Sequence, residues 1–181
     1  MKKESLSFIE AVKFLAKRYN IELEEEHESA EQQQSRLKRE ALFLLNHRVM
    51  KYFVSQLLKS KEPLQYIEAR FNSEFVRENG FGYAPDSFDS LYNWAKKKSE
   101  NIEFMIQLGL LKRNEETGKI YDTYRNRIMF PIFDRAQRVI GFTGRTLNKD
   151  DKTPKYINSP ESEIYHKAKS IYGINIAIRE G

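Results

Sequence analysis

The chain has 181 residues, with 31 Lys+Arg against 26 Asp+Glu, a formal charge of +5, no Cys and 40% hydrophobic side chains. A chain of that size buries about 70% of the surface its unfolded form exposes, enough for a core without staples. Lack of cysteine excludes a disulfide framework, a thiolate nucleophile and Cys-ligated zinc, and His27, His47 and His166 show no metal-ligand spacing.

Ser7 with Glu10 makes a capping-box pattern, and Phe8, Ala11, Val12, Leu15 and Tyr19 recur at helical spacing as far as Asn20. Six glutamates between Glu22 and Glu31 then read as a solvated connector, and residues 24–36 as a polar acidic linker. Leu37, Ala41, Leu44, Leu45, Val49, Tyr52, Phe53 and Leu57 follow a 3.6-residue repeat, and no Pro or Gly interrupts residues 30–59. One long helix is expected there. Pro63 suits the first position of a helix over Leu64 to Phe71, and Asn72-Ser73 close it and open a short helix ending near Asn79-Gly80. Two more helices are expected, over Ser87 to about Lys97 and from Ser99 to Leu108, the second stopped by Gly109.

Near Leu110 the period changes. Thr117-Gly118 is a turn candidate, and the apolar runs Arg127 to Phe133 and Arg138 to Thr143 flank Asp134-Arg-Ala-Gln137 as a β-hairpin. Pro131 cannot donate to a ladder, so the first run is expected at a sheet edge or a bulge. A further extended piece lies between Pro154 and Pro160, and a helix is expected near Asn175. The fold class is α+β: a helical N-terminal part followed by a small mixed or antiparallel sheet with flanking helices.

Residues 121–181 hold eleven Lys+Arg against seven Asp+Glu, so most of the positive excess lies in the C-terminal third. There the hairpin is expected to gather Tyr121, Tyr124, Arg125, Arg127, Arg145, Lys155, Tyr156 and Asn158. Arg offers a planar fork to phosphate oxygens, Lys a mobile point charge and Tyr a face for a base, a combination that suits a single strand. The alternative packs Tyr121 and Tyr124 inside and leaves the arginines on a solvated sheet. Gly141 and Gly144 ahead of Arg145 either admit a phosphate close to the backbone or kink a strand; no P-loop or dinucleotide fingerprint is present. Period-2 alternation puts Tyr156 and Asn158 on one face and Lys155 and Ile157 on the other. The carboxylate pairs Asp86/Asp89, Asp150/Asp151 and Glu161/Glu163 suit helix starts and polar turns, and neither His47 nor His166 has a nucleophile in context, so no catalytic or metal-binding residue is assigned.

The run Tyr121-Asp-Thr-Tyr-Arg-Asn-Arg-Ile-Met-Phe-Pro-Ile132, then Arg138-Val-Ile-Gly-Phe-Thr-Gly-Arg-Thr-Leu147, Pro154-Lys-Tyr-Ile-Asn-Ser-Pro-Glu161, Tyr165-His-Lys167 and Ile171-Tyr-Gly173 resembles bacterial DNA primase of the DnaG type, in the N-terminal subdomain of its RNA polymerase core. Tyr66-Ile-Glu-Ala-Arg70 and Phe81-Gly-Tyr-Ala-Pro85 resemble the family's helical part. The resemblance covers residues 37–181, helical over 37–109 and β-rich over 110–181, while residues 1–23 look like the helix that ends the family's zinc-binding domain. Asn72 stands where the family usually has Gly, and Phe133 where a charged residue is common.

The resemblance implies a part of a DNA-directed RNA polymerase that makes RNA primers on single-stranded DNA in replication. It implies contacts to the template and to phosphates of ribonucleotides or RNA through Arg70, Arg125, Arg127, Arg145, Lys155, Tyr156 and Asn158. The family's Mg2+ or Mn2+ belongs to a toprim domain expected after Gly181, its Zn2+ to a domain expected before Met1, and its replicative-helicase contact to a C-terminal domain. This chain alone is therefore expected to bind and not to polymerise. No run approaches the roughly 18 apolar residues of a membrane span, and Met1-Lys-Lys-Glu4 leads into an amphipathic segment, so a cytoplasmic protein without a membrane partner is expected. The rival reading is a helical protein-interaction scaffold with a solvated basic sheet; another is a mobile-element relative of primase used only for binding.

Overall fold

Ser29 and Gln32 begin the longest element with a reciprocal cap. Ser29 N–H donates to Gln32 Oε1 at 2.9 Å and Gln32 N–H to Ser29 Oγ at 3.2 Å. The 30-residue helix α1, Ala30–Lys59, follows without a break. The computed structural model describes residues 15, 16, 18, 19, 29–148 and 153–170. Most of the helix expected over Ser7 to Asn20, the connector up to residue 28, Asp150-Asp151 and the helix expected near Asn175 lie outside them. The chain divides into two compact units, 1–36 and 37–181. Residues 30–36, placed by sequence in the linker, form the exposed first turns of α1.

From Leu42 onward α1 turns one face inward, burying Leu42, Phe43, Leu45, Asn46, Val49, Tyr52, Phe53 and Leu57. Helix α2, Lys61–Glu68, starts three residues before the expected Leu64 and takes Pro63 into its first turn, where N–H groups have no intrahelical acceptor to lose. Asn72 sits at φ −66° as the N-cap of α3, Ser73–Glu78, and its side chain accepts from Phe75 N–H at 2.7 Å. No left-handed conformation is needed there, so Asn replaces Gly without strain. Helix α4, Ser90–Lys97, begins later than Ser87 because its first amides are held by Asp122, described below. Helix α5, Ile102–Gln107, begins after the left-handed Ser99 (φ 53°), at the cap Asn101.

Among the described residues six strands form two antiparallel sheets. In the larger, the order is β1 (Gly82–Ala84), β4 (Arg127–Phe133), β5 (Val139–Thr146), β6 (Tyr156–Asn158); in the smaller, β2 (Leu111–Arg113) pairs with β3 (Ile120–Asp122). The expected hairpin is β4–β5, closed by Asp134, whose carboxylate accepts from Arg138 N–H and Nε. Of the edge position or bulge expected from Pro131, the edge is not taken, since strand β4 is interior, whereas a register irregularity does follow the proline. The reason is local. Phe142, opposite Pro131, directs both its N–H and its C=O to Ser159, so Pro131 nitrogen points to the far flank, where β1 has already ended at Gly82 opposite Met129. The register slips just beyond, between Ile132 and Phe133. Phe133 is half-buried against the main core.

Strand β1, inside the stretch expected to be helical, is three buried residues long and shows no alternation to read. It presses on α1: a Cβ on Gly82 would lie 2.5 Å from Phe53 Cβ and 2.6 Å from Phe53 carbonyl carbon. The inner sheet face thereby meets α1, with Phe53 and Phe142 rings edge to face at 5.6 Å. A second cluster of Leu57, Ile67, Val76, Phe81, Tyr83 and Ile128 packs α2 and α3 over the β1–β4 half of the outer face. Among the described residues no helix packs on the β5–β6 half.

Candidate functional site

Cross-strand partners share a face of a sheet, so register alone assembles the open surface. Ile128, Arg145 and Tyr156 form one row across β4, β5 and β6, and Phe130, Thr143 and Asn158 the next. Thr143 Oγ1 donates to Asn158 Oδ1 at 2.8 Å, which leaves the amide nitrogen of Asn158 to donate outward. Tyr156 is 52% exposed. Phe130, Ile132, Thr143, Tyr156, Asn158 and Tyr165 line a recess of about 410 Å³. Ile157, on the opposite face, packs against the core, so of the two orientations open in the sequence the one displaying Tyr156 and Asn158 is realised.

Arg145 extends toward α2, its guanidinium carbon 5.1 Å from the Tyr66 ring centroid, and Arg70 stacks on the same ring at 3.8 Å. Arg70 Nη1 also donates to Tyr66 O at 2.8 Å. Arg70, Arg145, Tyr156 and Asn158 therefore border one surface. Lys155, one residue before β6, is exposed, and its carbonyl accepts from Thr146 N–H at 3.0 Å.

The other expected contacts lie elsewhere. Arg127 is 3% exposed, because alternation from Met129 turns it to the inner face. Its Nη1 donates to Gly144 O at 3.0 Å and Pro154 O at 2.9 Å, and burial holds its pKa below the usual arginine value. Gly144 is needed for that passage: a Cβ there would meet Tyr124 at 2.8 Å and Arg127 Cδ at 3.1 Å. Tyr124 is buried, as in the alternative that packs it inside, and its phenol is pushed up to about 12 by burial. Arg125 stacks over Phe88 at 4.4 Å and Tyr121 at 5.9 Å, donates to Asp122 O, and borders a separate polar recess of about 290 Å³ with Arg127, Thr123 and Asn148. Of the eight-residue series, Arg145, Tyr156 and Asn158 share the outer face, Tyr121, Tyr124, Arg125 and Arg127 lie around the β3–β4 turn, and Lys155 is exposed just ahead of β6. Sequence reading missed Tyr66 and Thr143, though each carried a signal: Tyr66 lies one helical turn before Arg70, and Thr143 two strand residues before Arg145.

Carboxylates serve structure. Glu161 accepts from Lys167 N–H and His166 Nδ1; Glu163 pairs with Lys38 and accepts from Gln107. Among the described residues no three His, Asp or Glu side chains come together as metal ligands, so these residues do not fit the divalent metal that the resemblance implies. Asp122 is 2% exposed and accepts from Leu91 N–H at 2.7 Å and Tyr92 N–H at 3.0 Å, capping α4 from strand β3. Burial raises its pKa to about 6 against the opposing pull of those two amides. A folded-state value above the unfolded one means that this group favours the fold most below about pH 4 and that the advantage is lost as pH rises through 6. Asp122→Asn, which mimics the protonated side chain, is expected to gain on the wild type by about 2 kcal/mol between pH 4 and pH 7 in urea unfolding. A constant difference across that window would contradict the assignment.

The geometry has counterparts. Residues 52–178 match the family described as DNA primase catalytic core, N-terminal domain. The DNA primase of Clostridium acetobutylicum is 36% identical over 180 residues, 99% of this chain and 29% of that protein; the DNA primase of Salmonella typhimurium is 36% identical over 177 residues, 96% of this chain and 30% of that protein. This chain spans about 30% of the length of those relatives. Among solved structures, the DnaG primase catalytic domain bound to ssDNA superposes with a TM-score of 0.72 at 36% identity, over 79% of this chain and 46% of that one. The Aquifex aeolicus primase, with zinc-binding and RNA polymerase domains, gives 0.69 at 31% identity, over 97% of this chain and 41% of that one. With its helical half, its four-stranded sheet and 127 matched residues in register with that family, the chain belongs to the DNA primase catalytic cores, as their N-terminal domain.

Proposed function

We propose that this domain holds the single-stranded DNA template of a primase on the open outer face of β5 and β6, and that its cations also meet phosphates of ribonucleotides or nascent RNA. The carrying observation is the placement of Arg145, Tyr156 and Asn158 on one face, beside Arg70, with no helix covering them among the described residues. A relative solved with ssDNA supports the reading. Tyr156 offers a stacking face worth about 1–3 kcal/mol per base, Asn158 a donor oriented by Thr143, and the guanidiniums a sequence-independent grip on phosphate. Transfer of a nucleotidyl group depends on metal-binding carboxylates that the described residues do not assemble, so in this reading the domain by itself positions a strand and does not extend one. Metal ions, and the replicative helicase, act through other parts of the whole primase. Among the described residues no helix is long and apolar enough to cross a membrane.

Fluorescence anisotropy with a labelled single strand tests the reading. Dissociation constants of about 10⁻⁴ to 10⁻⁶ M are expected at physiological salt. Tyr156→Ala is expected to weaken binding roughly tenfold, and Arg145→Ala to weaken it for every sequence and lower the log–log salt slope by about one. Unchanged affinity and slope in both variants would remove the outer face as the strand surface.

A further inference from the structure

Tyr66 combines three features. Its ring carries two guanidiniums, Arg70 at 3.8 Å from helix α2 and Arg145 at 5.1 Å from strand β5. Its hydroxyl is buried with no hydrogen-bond partner among the described residues. Neither arginine forms an ion pair with a carboxylate among those residues, although Lys38, Arg48, Arg113 and Arg138 do. The hydroxyl therefore does not anchor the ring, and two cations meet the same ring with no carboxylate partner among the described residues. An anion bound beside the ring would neutralise that charge.

We infer that Arg70, Tyr66 and Arg145 form a phosphate clamp, in which Tyr66 is a positioning residue that presets both guanidiniums for oxygens arriving beside β5. The inference rests on the outer-face reading and goes beyond it by giving Tyr66 a role and by making Arg70 and Arg145 act as one unit. Planar forks suit phosphate, and a stacked arginine has already lost the rotamer freedom that binding would otherwise remove. The phosphate comes from the strand's phosphodiesters or from a free nucleotide.

Anisotropy with a labelled single strand at about 50 to 200 mM salt decides it. Tyr66→Phe is expected to keep affinity and salt slope, with a melting temperature equal to or above that of the wild type, since it removes the unpartnered hydroxyl. Tyr66→Leu is expected to lose roughly three- to tenfold in affinity and to flatten the slope while circular dichroism stays native. A cycle with Arg70→Ala, Arg145→Ala and the double variant gives a second measurement that leaves Tyr66 intact: the clamp predicts a double variant clearly less impaired than the product of the single losses. Strict multiplication of the two losses, or wild-type binding by folded Tyr66→Leu beside a weakened Arg145→Ala, overturns the clamp and leaves the outer face standing. Wild-type binding by Arg145→Ala as well brings down the outer-face reading itself. Displacement of the strand by metal-free ATP in the wild type but not in Arg70→Ala places a nucleotide phosphate in the clamp; a strand that ATP does not displace places a phosphodiester there.

Discussion

Gly82→Ala is expected to lower stability by about 3 kcal/mol or more and the melting temperature by roughly 6–12 °C. The added methyl would stand 2.5 Å from Phe53 Cβ, 2.6 Å from Phe53 carbonyl carbon and 2.8 Å from Val54 N. Two of these atoms are helix backbone and cannot swing aside, so β1 must lift off α1 and strain its three-residue pairing with β4. Gly118→Ala is the control. Its backbone is left-handed at φ 67°, but nothing lies within 4 Å of the new methyl, so only the conformational cost of about 1–2 kcal/mol applies. Differential scanning fluorimetry distinguishes the two, and a Gly82→Ala protein melting within 2 °C of the wild type would show that β1 does not press on α1 as described.

Arg127→Ala is expected to cost about 3 kcal/mol, whereas Arg145→Ala leaves the melting temperature almost unchanged. Arg127 is buried, and its removal takes a donor from two carbonyls, Gly144 O and Pro154 O, that it bridges between β5 and the approach to β6. Lys is a poor substitute, because a single point charge on a flexible stem does not reproduce the guanidinium's fixed donor geometry. Since Pro154 leads directly into Tyr156 and Asn158, Arg127→Ala also weakens strand binding, but through a displaced β6. Thermal melts of the two variants side by side check the separation: an Arg127→Ala protein as stable as Arg145→Ala would return Arg127 to the surface group.

Helical periodicity and the hairpin pattern made the order of elements legible. Apolar residues recur at helical spacing from Leu37 to Leu57 with no Pro or Gly over 30–59, and two apolar runs flank a polar tetrapeptide, so α1 and β4–β5 follow from local sequence, although Leu37 and Leu44 stay exposed. What escaped was set by partners distant in the chain. β1 is three residues of a sheet completed by residues 127–129, and α4 starts where Asp122, 31 residues after Leu91, supplies the cap. Within the site, alternation fixed Tyr156 and Asn158 as face-sharing neighbours of β6 but could not say which face was covered. Arg125 and Arg127 looked equivalent to Arg145 because charge type and spacing carry no register across strands. The register places Arg127 inward opposite Thr146 and Arg145 outward opposite Ile128. Tyr66 was hidden because its value lies in a ring that meets Arg145 only after α2 folds over the sheet.

An amide chemical-shift titration of the folded domain with an unlabelled deoxythymidine oligonucleotide addresses the placement of the strand most directly. Shifts concentrated at residues 143–145, 156–158 and 66–70, growing as salt is lowered, are the predicted result. Shifts confined to the β3–β4 turn around Phe88, Tyr121 and Arg125, with those outer-face amides unmoved, would contradict it.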